Sequence, residues 1–122
     1  MTVQILTVDD SPSMRKLISV ALTAQGFAVA EAVDGADGLA KARTQRFDLV
    51  ISDQNMPNMD GITFVSHLKQ LPAYRSTPVL MLSSDSSDDL KARARAAGAI
   101  GWMIKPFDQA KLISAVARLV QL

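Results

Sequence analysis

Short apolar runs alternate with longer helical periods along the chain, and four of the runs stop on a polar group. Ile5, Leu6, Thr7 and Val8 lead into Asp9 and Asp10. Leu49, Val50, Ile51 and Ser52 lead into Asp53. Val79, Leu80, Met81 and Leu82 lead into Ser83 and Ser84, and Trp102, Met103 and Ile104 lead into Lys105 and Pro106. Short continuous runs of this kind are expected of strands buried on both faces of a parallel sheet. Their carboxyl ends would then share one sheet edge, bringing three carboxylates, a hydroxyl and an ammonium together. That set suits a divalent cation and a phosphoryl group better than a packed core.

The helical periods fall between the runs. After a first strand at Gln4–Val8, Ser11 is a candidate N-cap with Pro12 at the first helical position. Met14, Leu17, Ile18, Ala21 and Leu22 keep helical spacing, and Gly26 is a natural stop. A second strand is expected over 27–32 and a turn at Asp34 and Gly35. A weaker helix follows over 35–45, with Leu39 and Ala42 as its apolar face. A third strand over 48–52 leads through a 55–61 loop to a helix striped by Phe64, Val65, Leu68 and Leu71. A fourth strand over 78–82 precedes an alanine-rich helix over 86–97. A fifth strand over 100–104 precedes a helix capped by Asp108, with Leu112, Ile113, Val116, Leu119 and Val120 inward. Five strand–helix units in strict alternation predict one α/β domain, an open parallel sheet with helices on both faces. In such sheets ligands bind beyond the carboxyl ends of the strands, where the winding direction reverses.

Composition narrows the chemistry. The 122 residues, 48% hydrophobic and 20% charged, suffice for one domain with a real core. A net charge of +1 makes no polyanion binder, so no nucleic acid partner is expected. The absence of Cys removes thiolate metal sites and thiol nucleophiles. His67, the only His, leaves no His-based metal cluster and is read as a helix-surface residue. Glu31 is the only Glu, and the remaining acidic groups are Asp, which favours turns, caps and short-reach oxygen sites. No run is long enough to cross a bilayer, and the start at Met1 lacks a signal-peptide pattern. A cytoplasmic protein with no membrane contact is expected, as a single domain over 1–122 whose last helix reaches Leu122 with no output domain.

Asp9 and Asp10 after Val8, Asp53 followed by Asn55, Met56 and Pro57, then Asp60 and Gly61, Ser83, and Lys105 with Pro106 and Phe107 resemble the receiver domains of two-component response regulators. The nearest subtype is the CheY-like single-domain chemotaxis regulator. The resemblance runs from Gln4 to Val120 and rests on separate motifs in one order. It implies a flavodoxin-like sheet of strand order 2-1-3-4-5, whose reversal point lies between the strands delivering Asp9, Asp10 and Asp53. It implies phosphoacceptance by Asp53 from a phosphohistidine on a CheA-like histidine kinase, with no turnover of a separate substrate. Oxygen ligands without His favour Mg²⁺ over zinc. Asp9, Asp10 and Asp53 are its expected side-chain ligands, and the resemblance adds the backbone carbonyl of Asn55. Lys105 would neutralise transferring oxygens, and Ser83, drawn to a phosphoryl oxygen that it bonds, would open space for a switch aromatic, here Trp102, to turn inward. Asn55 and Asp85, two residues beyond Asp53 and Ser83, would tune hydrolysis of the acyl phosphate toward a short lifetime. A cis peptide is implied between Lys105 and Pro106. Lys91, Arg93 and Arg95 lie on the fourth helix beside Trp102. With Trp102, Lys91 and Arg95 mark a partner surface formed by helix four, strand five and helix five. The resemblance allows a flagellar motor switch and a phosphatase as further partners, and a monomer is expected.

Bland readings apply to each residue alone. An Asp pair after a strand is usually a turn or cap, Ser83 a common strand end, Lys105 and Pro106 a stop, and Trp102 a core aromatic. Met56, Met59, Met81 and Met103 are read as packing residues. Other functions fit less well. A phosphorylation-independent binding module usually lacks part of the acidic set or the lysine. A metal-dependent phosphatase needs a second Asp at position 55, which is Asn, and a cap. An FMN carrier needs a hydroxyl-rich loop where Asp9 and Asp10 stand. A phosphate sink or relay receiver remains an alternative to a motor regulator.

Overall fold

The computed structural model describes residues 2–120. It is a five-stranded parallel sheet of order β2-β1-β3-β4-β5, with β1 at Gln4–Val8, β2 at Ala28–Ala32, β3 at Leu49–Asp53, β4 at Val79–Ser83 and β5 at Gly101–Ile104. Helices α1 (Pro12–Thr23), α2 (Gly35–Thr44), α3 (Gly61–Gln70), α4 (Asp88–Ala97) and α5 (Gln109–Val120) alternate with them. This is the flavodoxin-like order that the resemblance implied. The expected end of the last helix at Leu122 and the reading of the Met1 start lie outside the described residues. Among the described residues, no helix is long and apolar enough to cross a membrane.

The period of two along the central strands builds two cores. Leu6 and Val8 of β1, Val50 of β3 and Val79 and Met81 of β4 pack with Leu39, Phe64, Val65, Leu68 and Ala94 of α2, α3 and α4. Ile5, Leu49, Ile51, Leu80 and Leu82 point the other way, onto Ile18 and Leu22 of α1 and Leu112 and Val116 of α5. Every residue of β3 and β4 is buried, as continuous apolar runs require. β5 departs from that expectation. It is an edge strand, so its residues are only partly covered and Ile104 is exposed.

Local signals fix the helix starts. Ser11, Asp34 and Asp60 each accept the N–H three residues on, from Met14, Asp37 and Thr63. Asp108 accepts the Lys111 N–H at 2.7 Å. Gly26 adopts φ +90° in the turn that returns the chain to β2. Several boundaries shift by a residue or two. β2 begins at Ala28, because Phe27 still donates its N–H to Leu22 at the end of α1. α2 stops at Thr44 because Gln45 is extended. β3 and β4 each run one residue further, since Asp53 pairs with Leu82 and Ser83 with Ile104. α4 starts at Asp88 rather than 86, because Asp85 accepts the Ser87 N–H and leaves Ser87 to cap Leu90.

Candidate functional site

The carboxyl ends of β1 and β3 are neighbours in the sheet, and the acidic groups meet there. Asp9, Asp10 and Asp53 each offer an oxygen, and these oxygens lie within 4.8 Å of one another. Asp9 and Asp53 are buried and Asp10 is exposed. Asp53 is positioned by its strand and by Gly61 behind it. A Cβ at Gly61 would collide with the Asp53 carbonyl oxygen and with the Gln54 backbone. The first residue of α3 therefore lies directly against the backbone of the acidic site.

Asp9 is the most constrained member. It is 1% exposed. Its N–H donates to the Ala32 carbonyl at 3.1 Å, and its Oδ1 accepts the Ser11 N–H at 2.9 Å. Its Oδ2 is buried and has no hydrogen-bond partner. Burial pushes the Asp9 carboxyl above its ordinary value of 3.8. The Ser11 N–H opposes that rise, Asp53 adds to it, Lys105 opposes it, and Asp10 adds to it. A buried carboxylate oxygen that accepts no hydrogen bond and lies beside other carboxylates is costly, and a bound cation would relieve it.

Lys105 reaches the site from the end of β5. Its Nζ is 2.8 Å from Asp53 Oδ1 and 3.6 Å from Asp9 Oδ2. Its backbone N–H donates to the Ser83 carbonyl at 2.8 Å, and the Lys105–Pro106 peptide is cis. Ser83 is fully buried at the end of β4, and its hydroxyl accepts the Asp85 N–H at 3.0 Å. The structure therefore gathers Asp9, Asp10, Asp53 and Lys105 and sets Ser83 at the same edge, with its hydroxyl engaged by the following loop. Asn55 and Asp85 are exposed in the loops after β3 and β4.

Trp102 is half-buried, and its indole N–H donates to the Asp85 carbonyl at 3.1 Å. Lys91, Arg95, Ile100 and Trp102 help line a small hollow of about 70 Å³ between α4 and β5. Arg93 is exposed and not among its lining residues. His67 is exposed on α3, while Met56 and Met81 are buried in the core.

Residues 5–117 match the family described as response regulator receiver domain. The chain belongs to that family. It is 36% identical over 118 residues to the transcriptional regulatory protein PrrA of Mycobacterium tuberculosis, an alignment covering 97% of this chain and 50% of PrrA. The chain thus spans about half the length of that curated relative. Among solved structures, it resembles the chemotaxis protein CheY4 of Vibrio cholerae, with TM-score 0.95, 41% identity and coverage of 98% of this chain and 99% of that one. It also resembles the Borrelia burgdorferi complex of CheX and CheY with beryllofluoride and Mg²⁺, with TM-score 0.89, 30% identity and coverage of 95% and 87%. The CheY-like receiver assignment is thereby established.

Two polar residues at this receiver site escape sequence reasoning. Gln54 is buried beside Asp53, and its Oε1 accepts the Ile62 N–H at 2.9 Å, tying the 55–60 loop to α3. Arg15 of α1 donates to the Asp9 carbonyl at 2.7 Å. A polar residue directly after an apolar strand was the available signal for Gln54. Arg15 had none, since its partners come from two other segments.

Proposed function

We propose that this receiver is a Mg²⁺-dependent phosphoacceptor that takes a phosphoryl group on Asp53 and thereby changes its partner-binding face. The observation that carries this reading is the acidic trio within 4.8 Å, with Asp9 Oδ2 buried and free of a hydrogen bond and the Lys105 ammonium on Asp53. Asp9, Asp10 and Asp53 would hold the cation, with the Asn55 carbonyl as a backbone ligand. Oxygen donors without His match Mg²⁺ rather than zinc. When bound, Mg²⁺ supplies positive charge against the acidic trio and the phosphoryl oxygens.

The chain's own residues do the rest. A carboxylate oxygen of Asp53 attacks phosphorus, an O–P bond forms, and the N–P bond of the donor phosphohistidine breaks with the electron pair leaving on the imidazole. Lys105 neutralises charge on the transferred oxygens. The Ser83 hydroxyl turns from the Asp85 N–H to a phosphoryl oxygen. Water later attacks phosphorus, the O–P bond to Asp53 breaks, inorganic phosphate leaves, and the Asp53 carboxylate is restored. The exposed polar side chains of Asn55 and Asp85 leave that path open, so the phosphorylated state is short-lived. The chain is a phosphoacceptor with self-dephosphorylation rather than a turnover enzyme.

The kinase partner is a CheA-like histidine kinase, and the output is a protein docked where Lys91, Arg95 and Trp102 meet. Those basic groups favour an acidic partner. Similarity to the chemotaxis protein CheY4 across nearly both whole chains supports a chemotaxis role, and within that role the target we propose is a flagellar motor switch. Replacing Asp53 by Asn should abolish labelling by acetyl phosphate; retained labelling would move the acceptor elsewhere. Transfer assays with the kinase and a second receiver would separate a motor regulator from a phosphate sink.

A further inference from the structure

We propose that Arg15 is a positioning residue for Asp9, held in place by Glu31, and that this clamp sets how tightly the acidic site takes Mg²⁺. The inference rests on the phosphoacceptor reading above and concerns a residue that hydrogen-bonds neither Asp53 nor the carboxylate of Asp9.

The geometry is two-pronged. Arg15 Nη1 donates to the Asp9 carbonyl at 2.7 Å. Its Nε donates to Glu31 Oε1 at 3.3 Å, and its side chain is only 14% exposed. A planar guanidinium with donors fixed on different edges suits such bridging, and an ammonium does not. Glu31 lies on β2, where Lys41 donates from α2 to its backbone carbonyl at 2.5 Å, and its side chain is 41% exposed. The clamp therefore joins α1, β2 and α2 at the residue that opens the metal site.

The consequence follows from the polar atoms of Asp9. Its N–H is bound by the Ala32 carbonyl, its Oδ1 by the Ser11 N–H, and its carbonyl by Arg15. Only Oδ2 is free of a hydrogen bond, and it stands beside Lys105. The N–H and carbonyl ties fix the Asp9 backbone and the Oδ1 tie holds its side chain, so the free oxygen meets a cation with little reorganisation. Partners that orient a metal ligand commonly carry about 10–100-fold in metal affinity. Arg15 also has an opposing effect, since its positive charge repels a cation. The two effects differ in sign, so they separate cleanly.

The test is Mg²⁺ titration of the full chain, followed by calorimetry and by Trp102 fluorescence, with thermal melts in EDTA. The double variant Arg15→Met with Glu31→Met removes the clamp while leaving net charge unchanged. Positioning predicts that it binds Mg²⁺ about 10-fold more weakly at high salt, where remote charge is screened. Arg15→Lys, which keeps the charge and covers the case of a double variant that does not fold, should also weaken binding. Unchanged affinity in a folded double variant, or in Arg15→Lys, would overturn the inference while leaving the phosphoacceptor reading intact. Tighter binding in the double variant would do the same. A parent chain that does not bind Mg²⁺ would sink that reading, and the clamp with it.

Discussion

The Lys105 ammonium stands 2.8 Å from Oδ1 of Asp53, so the chain supplies one cation of its own to the carboxylate expected to accept phosphate. That lysine occupies space and charge that a divalent cation shares. Lys105→Met should therefore have opposite effects on two steps. Mg²⁺ should bind roughly tenfold more tightly, the effect of about 1.4 kcal/mol of relieved repulsion. Labelling by acetyl phosphate at saturating Mg²⁺ should slow, because the transferring oxygens lose their neutralising partner. Calorimetric titration and a labelling time course check the pair. Weaker Mg²⁺ binding or undiminished labelling would contradict the role given to Lys105.

Asp9 makes the site sensitive to pH. Its carboxyl is raised above 3.8, chiefly by burial, so between 3.8 and the raised value the folded protein holds a proton that the unfolded chain has released. Without metal, the stability that this proton contributes is fully present below 3.8 and lost as pH rises through the raised value. Mg²⁺ requires the ionised form, so its affinity should rise with pH across the same window. Melting curves in EDTA and in saturating Mg²⁺ over a pH series should diverge as pH rises, with the metal-bound form gaining. Parallel curves would assign the acidic dependence to other groups.

Much of this was readable beforehand because the strands that carry the site are buried on both faces. Val50 and Ile51 must both be apolar when helices cover each side of β3, so the run and its abrupt end at Asp53 stand out. β5 was harder: at the sheet edge its cover is partial, and nothing in Trp102, Met103 and Ile104 separates an edge strand from a central one. α4 starts at Asp88 rather than 86 because Ser87 is its cap, a choice that falls to the Asp85 side chain binding the Ser87 N–H. Arg15 was invisible for a different reason. Its role depends on Glu31, sixteen residues away in sequence, and only the packing of α1 against β2 brings them together.

Gly61 offers a structural test of how tightly the site is built. The residue opens α3 and donates its N–H to the Gln54 carbonyl at 2.9 Å. An added methyl group would meet the Asp53 carbonyl, the Met81 methyl and the Gln54 backbone. Only the Met81 side chain can yield without moving the acidic site. Gly61→Ala should cost about 1–3 kcal/mol of stability through overpacking, and the folded fraction should bind Mg²⁺ less well because Asp53 is displaced. Denaturant melts and Mg²⁺ titration measure both. An alanine variant of parental stability and affinity would mean that α3 shifts freely relative to β3.

Ser83 and Trp102 are linked through a single residue, Asp85. Its N–H donates to the Ser83 hydroxyl at 3.0 Å, and its carbonyl accepts the Trp102 indole N–H at 3.1 Å. Movement of the Ser83 hydroxyl toward a phosphoryl oxygen removes the acceptor that holds the Asp85 peptide, and the indole then loses a fixed partner. Such a device works only if the bound phosphoryl group favours one arrangement over the other. Trp102 is the only tryptophan, so its emission reads the step without a label. Adding Mg²⁺ and then beryllofluoride should give two successive changes in emission. In Ser83→Ala the Mg²⁺ change should persist, because the acidic trio is intact, while the beryllofluoride change should be largely lost. If the alanine variant retains the second change in full, Trp102 senses the phosphoryl mimic by a route that does not pass through Ser83.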